Sequence, residues 1–193
     1  VDAGAVNAIS REGKSLLSSG IKKIEGVFDD KPGQAELLGY AVSKAPDHLK
    51  GTTVIISVGD NHIRKALADR LQADYATAIH PNATISARAV IGPGSVVMGN
   101  TIINADTKIG KHVIVNTSAS IDHDCILEDF VHVSPNATLS GNVCVGEGAH
   151  IGSGATIIPN VRIGKWTVIG AGAVIIRNVP DFAVVVGNPG RVI

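Results

Sequence analysis

The run Asn116-Thr117-Ser118-Ala119-Ser120-Ile121-Asp122-His123-Asp124 sets one imidazole between two carboxylates. Such neighbours orient a histidine and stabilise its protonated form, which suits it to act as a general base. A lone outward histidine is otherwise an ordinary solvated side chain, so Asp122 and Asp124 are what single out His123. Five of the seven histidines, His80, His112, His123, His132 and His150, fall in the second part of the chain. His132 and His150 differ by 18 positions, yet no third histidine in phase with them completes a tetrahedral ligand set, so no metal is expected. The two are read instead as surface histidines on a wall that faces another subunit, and His112→Ala is expected to do little to activity. In the first part of the chain, Asp29-Asp30 and Gly59-Asp60-Asn61 with Arg64 stand where ligand-binding turns would follow strands. The plain alternative for Asp29-Asp30 is a solvated turn ahead of Lys31-Pro32-Gly33.

These residues are positioned by a repeat. From Ile79 to Ile175 every sixth residue is aliphatic without an insertion: Ile79, Ile85, Ile91, Val97 and so on through Ile163, Ile169 and Ile175. A period of six fits neither a helix nor a plain alternating strand. It fits a short strand plus a corner, three of which close an 18-residue triangular coil with the aliphatic side chain inside. Two positions earlier stand small residues such as Ala119, Cys125, Ala137 and Ala155, the size a corner tolerates. Gly92, Gly110, Gly146, Gly152, Gly164 and Gly170 directly follow core aliphatics, and Asn82, Asn100, Asn136 and Asn160 recur near turns; both groups are assigned to positive φ. His123 then projects outward, and Cys125 packs inward rather than serving as a nucleophile.

Texture changes near residue 78, which divides the chain into residues 1–76 and 77–193. In the first part, 24–28 and 54–58 read as buried strands, 63–71 as a helix capped by Asp60 or Asn61, and 10–19 as a further helix. That alternation suggests a small parallel sheet in a half-Rossmann-like α/β unit. The stretch around Gly4 lacks the three-glycine spacing of a dinucleotide loop. Seventeen basic and seventeen acidic residues balance, with no basic run that would mark a nucleic-acid or membrane-surface partner, so a small-molecule partner is expected. Two cysteines in different phases of the repeat argue against a disulfide and for a reducing cytoplasm. No apolar stretch reaches membrane-spanning length. A start at Val1 suggests a trimmed or incomplete N-terminus.

The hexapeptide coils resemble the left-handed β-helix of acyltransferases, and the handedness is taken from that resemblance. The run through His123-Asp124-Cys125 and on to Phe130-Val131-His132-Val133-Ser134-Pro135 resembles the active-site region of bacterial sugar acetyltransferases. These include the nucleotide-linked 4-amino-sugar N-acetyltransferases of the bacillosamine pathway and the sialic acid O-acetyltransferases. Likeness extends over nearly the whole chain and ends with Val184-Val185-Val186-Gly187-Asn188-Pro189.

That resemblance implies a homotrimer that uses acetyl-CoA, with His123 as general base and Asp124 as its acidic neighbour. Asn116 and His132 would line the site near substrate and acetyl group, and the nucleotide-sugar, expected to be UDP-linked, would rest against Asp29 and Asp30. Coenzyme A would lie in a groove between prisms, along main-chain groups near Gly141, Gly152 and Gly170. An amine on a sugar is mostly ammonium at neutral pH, so a base with a pKa near 7 serves acetyl transfer well. The same base would serve O-acetylation of a sugar hydroxyl such as that of sialic acid. A non-catalytic solenoid scaffold is a third reading.

Overall fold

The structure, a computed structural model, describes residues 24, 26–30, 33, 35–37, 39–46, 49 and 51–193. The helix expected over 10–19 and the segment around Gly4 lie outside the described residues. From Ala78 onward the chain is a left-handed parallel β-helix whose strands recur every six residues, from Ala78–Ile79 to Val174–Ile175. Each strand pairs with the one 18 residues later, as in the column Ile103, Ile121, Leu139, Ile157 and Ile175. Three sheets result. Face one carries Ser120–Ile121, face two Ile126–Leu127, and face three Ile114–Val115, His132–Val133 and His150–Ile151.

The inward aliphatic residues and the small corner residues together form the core: Ile121, Leu139, Ile157, Ala119, Cys125 and Ala137 are all fully buried. Each such aliphatic side chain contributes roughly 1.5–3 kcal/mol of burial. Ladder bonds such as Ser120 N–H to Ala137 O and Asp122 N–H to Leu139 O, both 2.9 Å, tie successive coils together. We call the turn from face three to face one corner I, that from face one to face two corner II, and that from face two to face three corner III. Strand Val184–Val186 extends face three, and Arg191–Val192 folds back antiparallel on it to close the end.

The turn chemistry departs from the sequence expectation. Positive φ falls on the second turn residue, including Asn100, Asn136, Asn160 and Asp124, and not on the glycines that follow core aliphatics. Those glycines answer to close approach instead: a Cβ on Gly152 would lie 2.5 Å from Ile169 O and 2.6 Å from Ala171 N in the next coil. Asn82 takes no positive φ.

Ahead of the solenoid the described residues form small pieces. β1 (Val27–Phe28), β2 (Glu36–Leu37) and β3 (Tyr40–Ser43) make a three-stranded sheet in which β1 and β3 are parallel and β2 and β3 antiparallel. β4 (Thr53–Val54) pairs in parallel with β5 (Asp74–Tyr75), and α1 (Asn61–Leu71) connects them. β1 covers only Val27–Phe28 of the apolar run 24–28, and β4 reaches only Val54 of the run 54–58, because Ile56 and Val58 pack with Leu71 in a small core instead of joining a ladder. Two separate sheets therefore stand where one parallel sheet is expected.

Helix α1 begins at Asn61 with Asp60 as cap, its carboxylate accepting from Ile63 N–H at 2.9 Å. Its buried side chains include Asn61 and Arg64, while Ile63 is half exposed, so the apolar spacing alone misplaces the buried face. The reason lies in what α1 meets. It docks on corner III, where Gly94, His112, Phe130, Gly148 and Trp166 form a column with left-handed φ and 18-residue spacing. His62 stacks on Trp166 with centroids 4.2 Å apart, His112 stacks on Phe130 at 5.0 Å, and Tyr75 meets His112 edge-on at 4.4 Å. Lys65 sits over the Phe130 ring at 5.0 Å and bridges Glu147 at 3.4 Å. His112 is thus a buried residue of the docking contact.

Candidate active site

Corner II holds His123. Its turn puts Asp124 in the left-handed region at φ 60°, which an aspartate accommodates and which folds the carboxylate back beside the preceding ring. His123 Nδ1 donates to Asp124 Oδ2 at 2.7 Å, and its backbone N–H donates to Asp122 Oδ1 at 2.8 Å. The Asp124 hydrogen bond, joined by the Asp122 charge, raises the His123 pKa above its ordinary value. Asp122 is held low, chiefly by the amide it accepts from Asn104. With Nδ1 engaged, Nε2 is the nitrogen that can take a proton, and the side chain is well exposed.

Gly141 stands one coil beyond His123 at the same corner. A Cβ there would lie 2.8 Å from His123 Cε1 and 2.9 Å from Nε2, so the ring rests directly against its backbone. The Gly141 N–H takes part in none of the hydrogen bonds within the described residues, although its carbonyl accepts from Asn160 N–H at 3.1 Å. A basic nitrogen and an uncommitted backbone donor are therefore side by side, the two elements that acyl transfer needs.

Asn116 and His132 come together elsewhere. Asn116 Nδ2 donates to His132 Nε2 at 3.3 Å, at the edge where face three enters corner I. Within one chain this pair and His123 occupy different corners of the prism. His132 is not the surface histidine the sequence suggests: it is buried, its Nδ1 lying 3.2 Å from Gly59 O. It does sit one coil from His150 on the same face, with ring centroids 4.8 Å apart, and Ser134 Oγ approaches His150 Nε2 at 3.0 Å.

Gly152 and Gly170 also fall at corner I. Their N–H groups donate to Ile169 O and Val185 O within the ladder, both at 2.8 Å, which commits those donors to the fold. Asp29 lies just after β1, its N–H donating to Ser43 O at 2.9 Å. Asp30 pairs with Arg70 at the end of α1 at 2.9 Å. Cys125 is buried and donates to Ser140 O at 3.2 Å, and burial pushes its thiol up to about 11, which suits packing and not nucleophilic chemistry. Among the described residues no group of three or more His, Cys, Asp or Glu is placed to hold a metal. Sequence reasoning missed Gly59 beneath His132 and the Arg64 that holds it, since nothing in the local pattern announces a contact across 73 positions.

Residues 142–177 match the family model for bacterial transferase hexapeptide repeats. The acetyltransferase domain of PglB from Neisseria gonorrhoeae is 35% identical with a TM-score of 0.84, the alignment covering 94% of this chain and 95% of that one. The chain belongs to the hexapeptide-repeat sugar N-acetyltransferases. The same PglB domain has been solved with acetyl coenzyme A. A variant of perosamine N-acetyltransferase from Caulobacter crescentus, solved with CoA and GDP-perosamine, is 32% identical to this transferase with a TM-score of 0.87, covering 99% of this chain and 94% of that one. UDP-N-acetylbacillosamine N-acetyltransferase of Bacillus subtilis is 51% identical over 87 residues, a match spanning 44% of this chain and 38% of that enzyme. No helix among the described residues is long and apolar enough to cross a membrane.

Two histidines give the transferase a pH-dependent stability. Burial first of all pushes His112 down to about 4, with the Arg64 charge adding to it, and burial followed by His150 and Arg64 does the same to His132. Both are neutral when folded, whereas the unfolded chain protonates them near the ordinary value of about 6.5. Between those limits the unfolded state binds more protons, so stability is retained above about 6.5 and lost as pH falls toward about 4. Urea midpoints are expected to drop between about pH 7.5 and about pH 5, and a midpoint that stays constant over that range contradicts neutral burial.

Proposed function

We propose that this transferase moves the acetyl group of acetyl-CoA to the amine of a nucleotide-linked amino sugar, UDP-linked by analogy with the Bacillus relative. The carrying observation is the exposed His123–Asp124 pair set against the free Gly141 N–H. The sugar amine attacks the thioester carbonyl while His123 Nε2 takes its proton, and the tetrahedral oxygen faces the Gly141 N–H. Collapse of the intermediate breaks the C–S bond, and the proton held by His123 goes to the departing thiolate. Release of free thiol from acetyl-CoA in the presence of a panel of UDP- and GDP-linked amino sugars tests the reading. Turnover with none of them, or with hydroxyl sugars alone, overturns it.

The Asn116–His132 pair belongs to the same reaction if a second subunit brings its corner I to the His123 corner, which is the reason we infer a homotrimer. Light scattering is expected to give about three times the 19.8 kDa chain mass, and a monomer at micromolar concentration defeats that arrangement.

The part of the chain ahead of the solenoid holds the nucleotide, in this reading, through Asp29 and Asp30. Losing a hydrogen bond to a charged group costs about 1.5–3 kcal/mol, so Asp29→Ala should raise the sugar KM at least about tenfold with little change in the KM for acetyl-CoA. Arg70→Ala separates binding from positioning, because it frees Asp30 from its ion pair without removing the carboxylate. An unchanged sugar KM when Asp29→Ala and Asp30→Ala are combined means that the acceptor is held by the β-helix alone.

A further inference from the structure

Arg64 is fully buried, yet all five of its N–H groups meet neutral acceptors. Nε donates to His112 O at 2.9 Å, Nη1 to Val58 O at 2.8 Å and Gly59 O at 3.3 Å, and Nη2 to Asn61 Oδ1 at 2.7 Å and Phe130 O at 2.8 Å. Burial pushes the guanidinium down to about 10, a cost against which Asp60 gives only partial relief. So expensive a cation clips together the 58–59 turn, α1 and two coils of the solenoid. The turn it holds is the one whose Gly59 carbonyl also meets His132.

The next links have only one consistent hydrogen pattern. Thr117 N–H donates to Asn116 Oδ1 at 2.8 Å, which fixes which end of the Asn116 amide is oxygen. Asn116 Nδ2 therefore points at His132 Nε2, so Nε2 accepts. Gly59 O can only accept, so His132 Nδ1 carries the hydrogen. Both ring nitrogens are committed, and a hydrogen on Nε2 would set donor against donor. One Asn116 Nδ2 hydrogen remains, its direction fixed by the amide plane at both ends.

We propose that Arg64, through the Gly59 carbonyl and a neutral Nδ1–H His132, is a positioning residue that aims the free amide hydrogen of Asn116 at corner I. His132 in this arrangement does not shuttle protons; it transmits the docking of α1 to a side chain at the edge of the solenoid. The inference rests on the reading of corner I as one wall of the acyl-transfer site. Its first test nevertheless needs no substrate, so failure of the one is distinguishable from failure of the other.

That test is the ring ¹⁵N spectrum of His132 in the intact protein at neutral pH, assigned by the signal lost in His132→Gln. A neutral Nδ1–H imidazole is expected, and an Nε2–H tautomer overturns the proposal whatever the enzyme turns over. Arg64→Lys keeps the charge and loses the fork, so its His132 signal should move toward a mixture of tautomers. Its kcat should fall about tenfold, with the KM for acetyl-CoA nearly unchanged and the oligomer mass retained. Wild-type kcat together with a wild-type ring signal in folded Arg64→Lys overturns the role of Arg64. Should that variant not fold, the decision passes to His132→Gln and His132→Ala. A glutamine can still accept from Asn116 and should recover about tenfold of the roughly 10²-fold kcat loss expected for alanine, a loss typical of a misplaced group. Equal loss in both overturns positioning in favour of a role for the imidazole itself.

Discussion

Replacing His123 with alanine is expected to lower kcat for acetyl transfer by about 10²–10⁴-fold, the range for losing a positioned general base. The fold should be untouched, because the side chain stands outside the coil while the core rests on Ile121 and Cys125 on either side of it. Thiol release gives kcat, and light scattering with far-UV circular dichroism reports assembly. Since Asp124 and Asp122 raise the pKa of this imidazole, the acid limb of the wild-type kcat profile should lie above the ordinary histidine value of about 6.5. A fully active variant removes His123 from the mechanism, and a variant that cannot fold gives it a structural role.

The second large effect comes from a residue without a side chain. Gly141→Ala would put a methyl group within 3 Å of His123 Cε1 and Nε2. What yields is the exposed ring, which can swing out, so the coil should survive while the Nδ1–Asp124 bond is broken. A displacement of about 1 Å in a reacting group can cost about 10²-fold, and a loss of that order in kcat is expected with an unchanged urea midpoint. By contrast, a methyl on Gly152 would meet only backbone, so there stability is what should fall. Wild-type kcat in Gly141→Ala means that the ring is not used in the position described.

The solenoid was legible because its signal is redundant: each inward aliphatic from Ile79 to Ile175 repeats the same statement about phase. The His123–Asp124 pair was legible because its members are neighbours in sequence. Burial of His132 was not, since it comes with the contact to Gly59, a residue held by Arg64 that no period of six connects to the ring. Docking of α1 left a trace that the six-residue period conceals, namely ring-bearing His112, Phe130 and Trp166 at multiples of 18. Following one corner from coil to coil, and not one face from strand to strand, would have brought those rings into line. The strand read over 54–58 stops at Val54 because Ile56 and Val58 are apolar for packing under α1 and not for pairing.

The unbroken register of Ile79 through Ile175 also restricts how such a chain can change in length. Losing one residue inside a coil would turn every later aliphatic outward, much as a one-place slip inverts a strand. Loss of six would keep the core but carry each later corner to the next edge of the prism, separating Gly141 from His123. Only a step of 18 restores both, so the molecule can lengthen or shorten in whole coils of about 4.8 Å, each leaving the angular position of every surviving corner unchanged. Length along the axis is thus quantised, and the reach of the site varies independently of its chemistry.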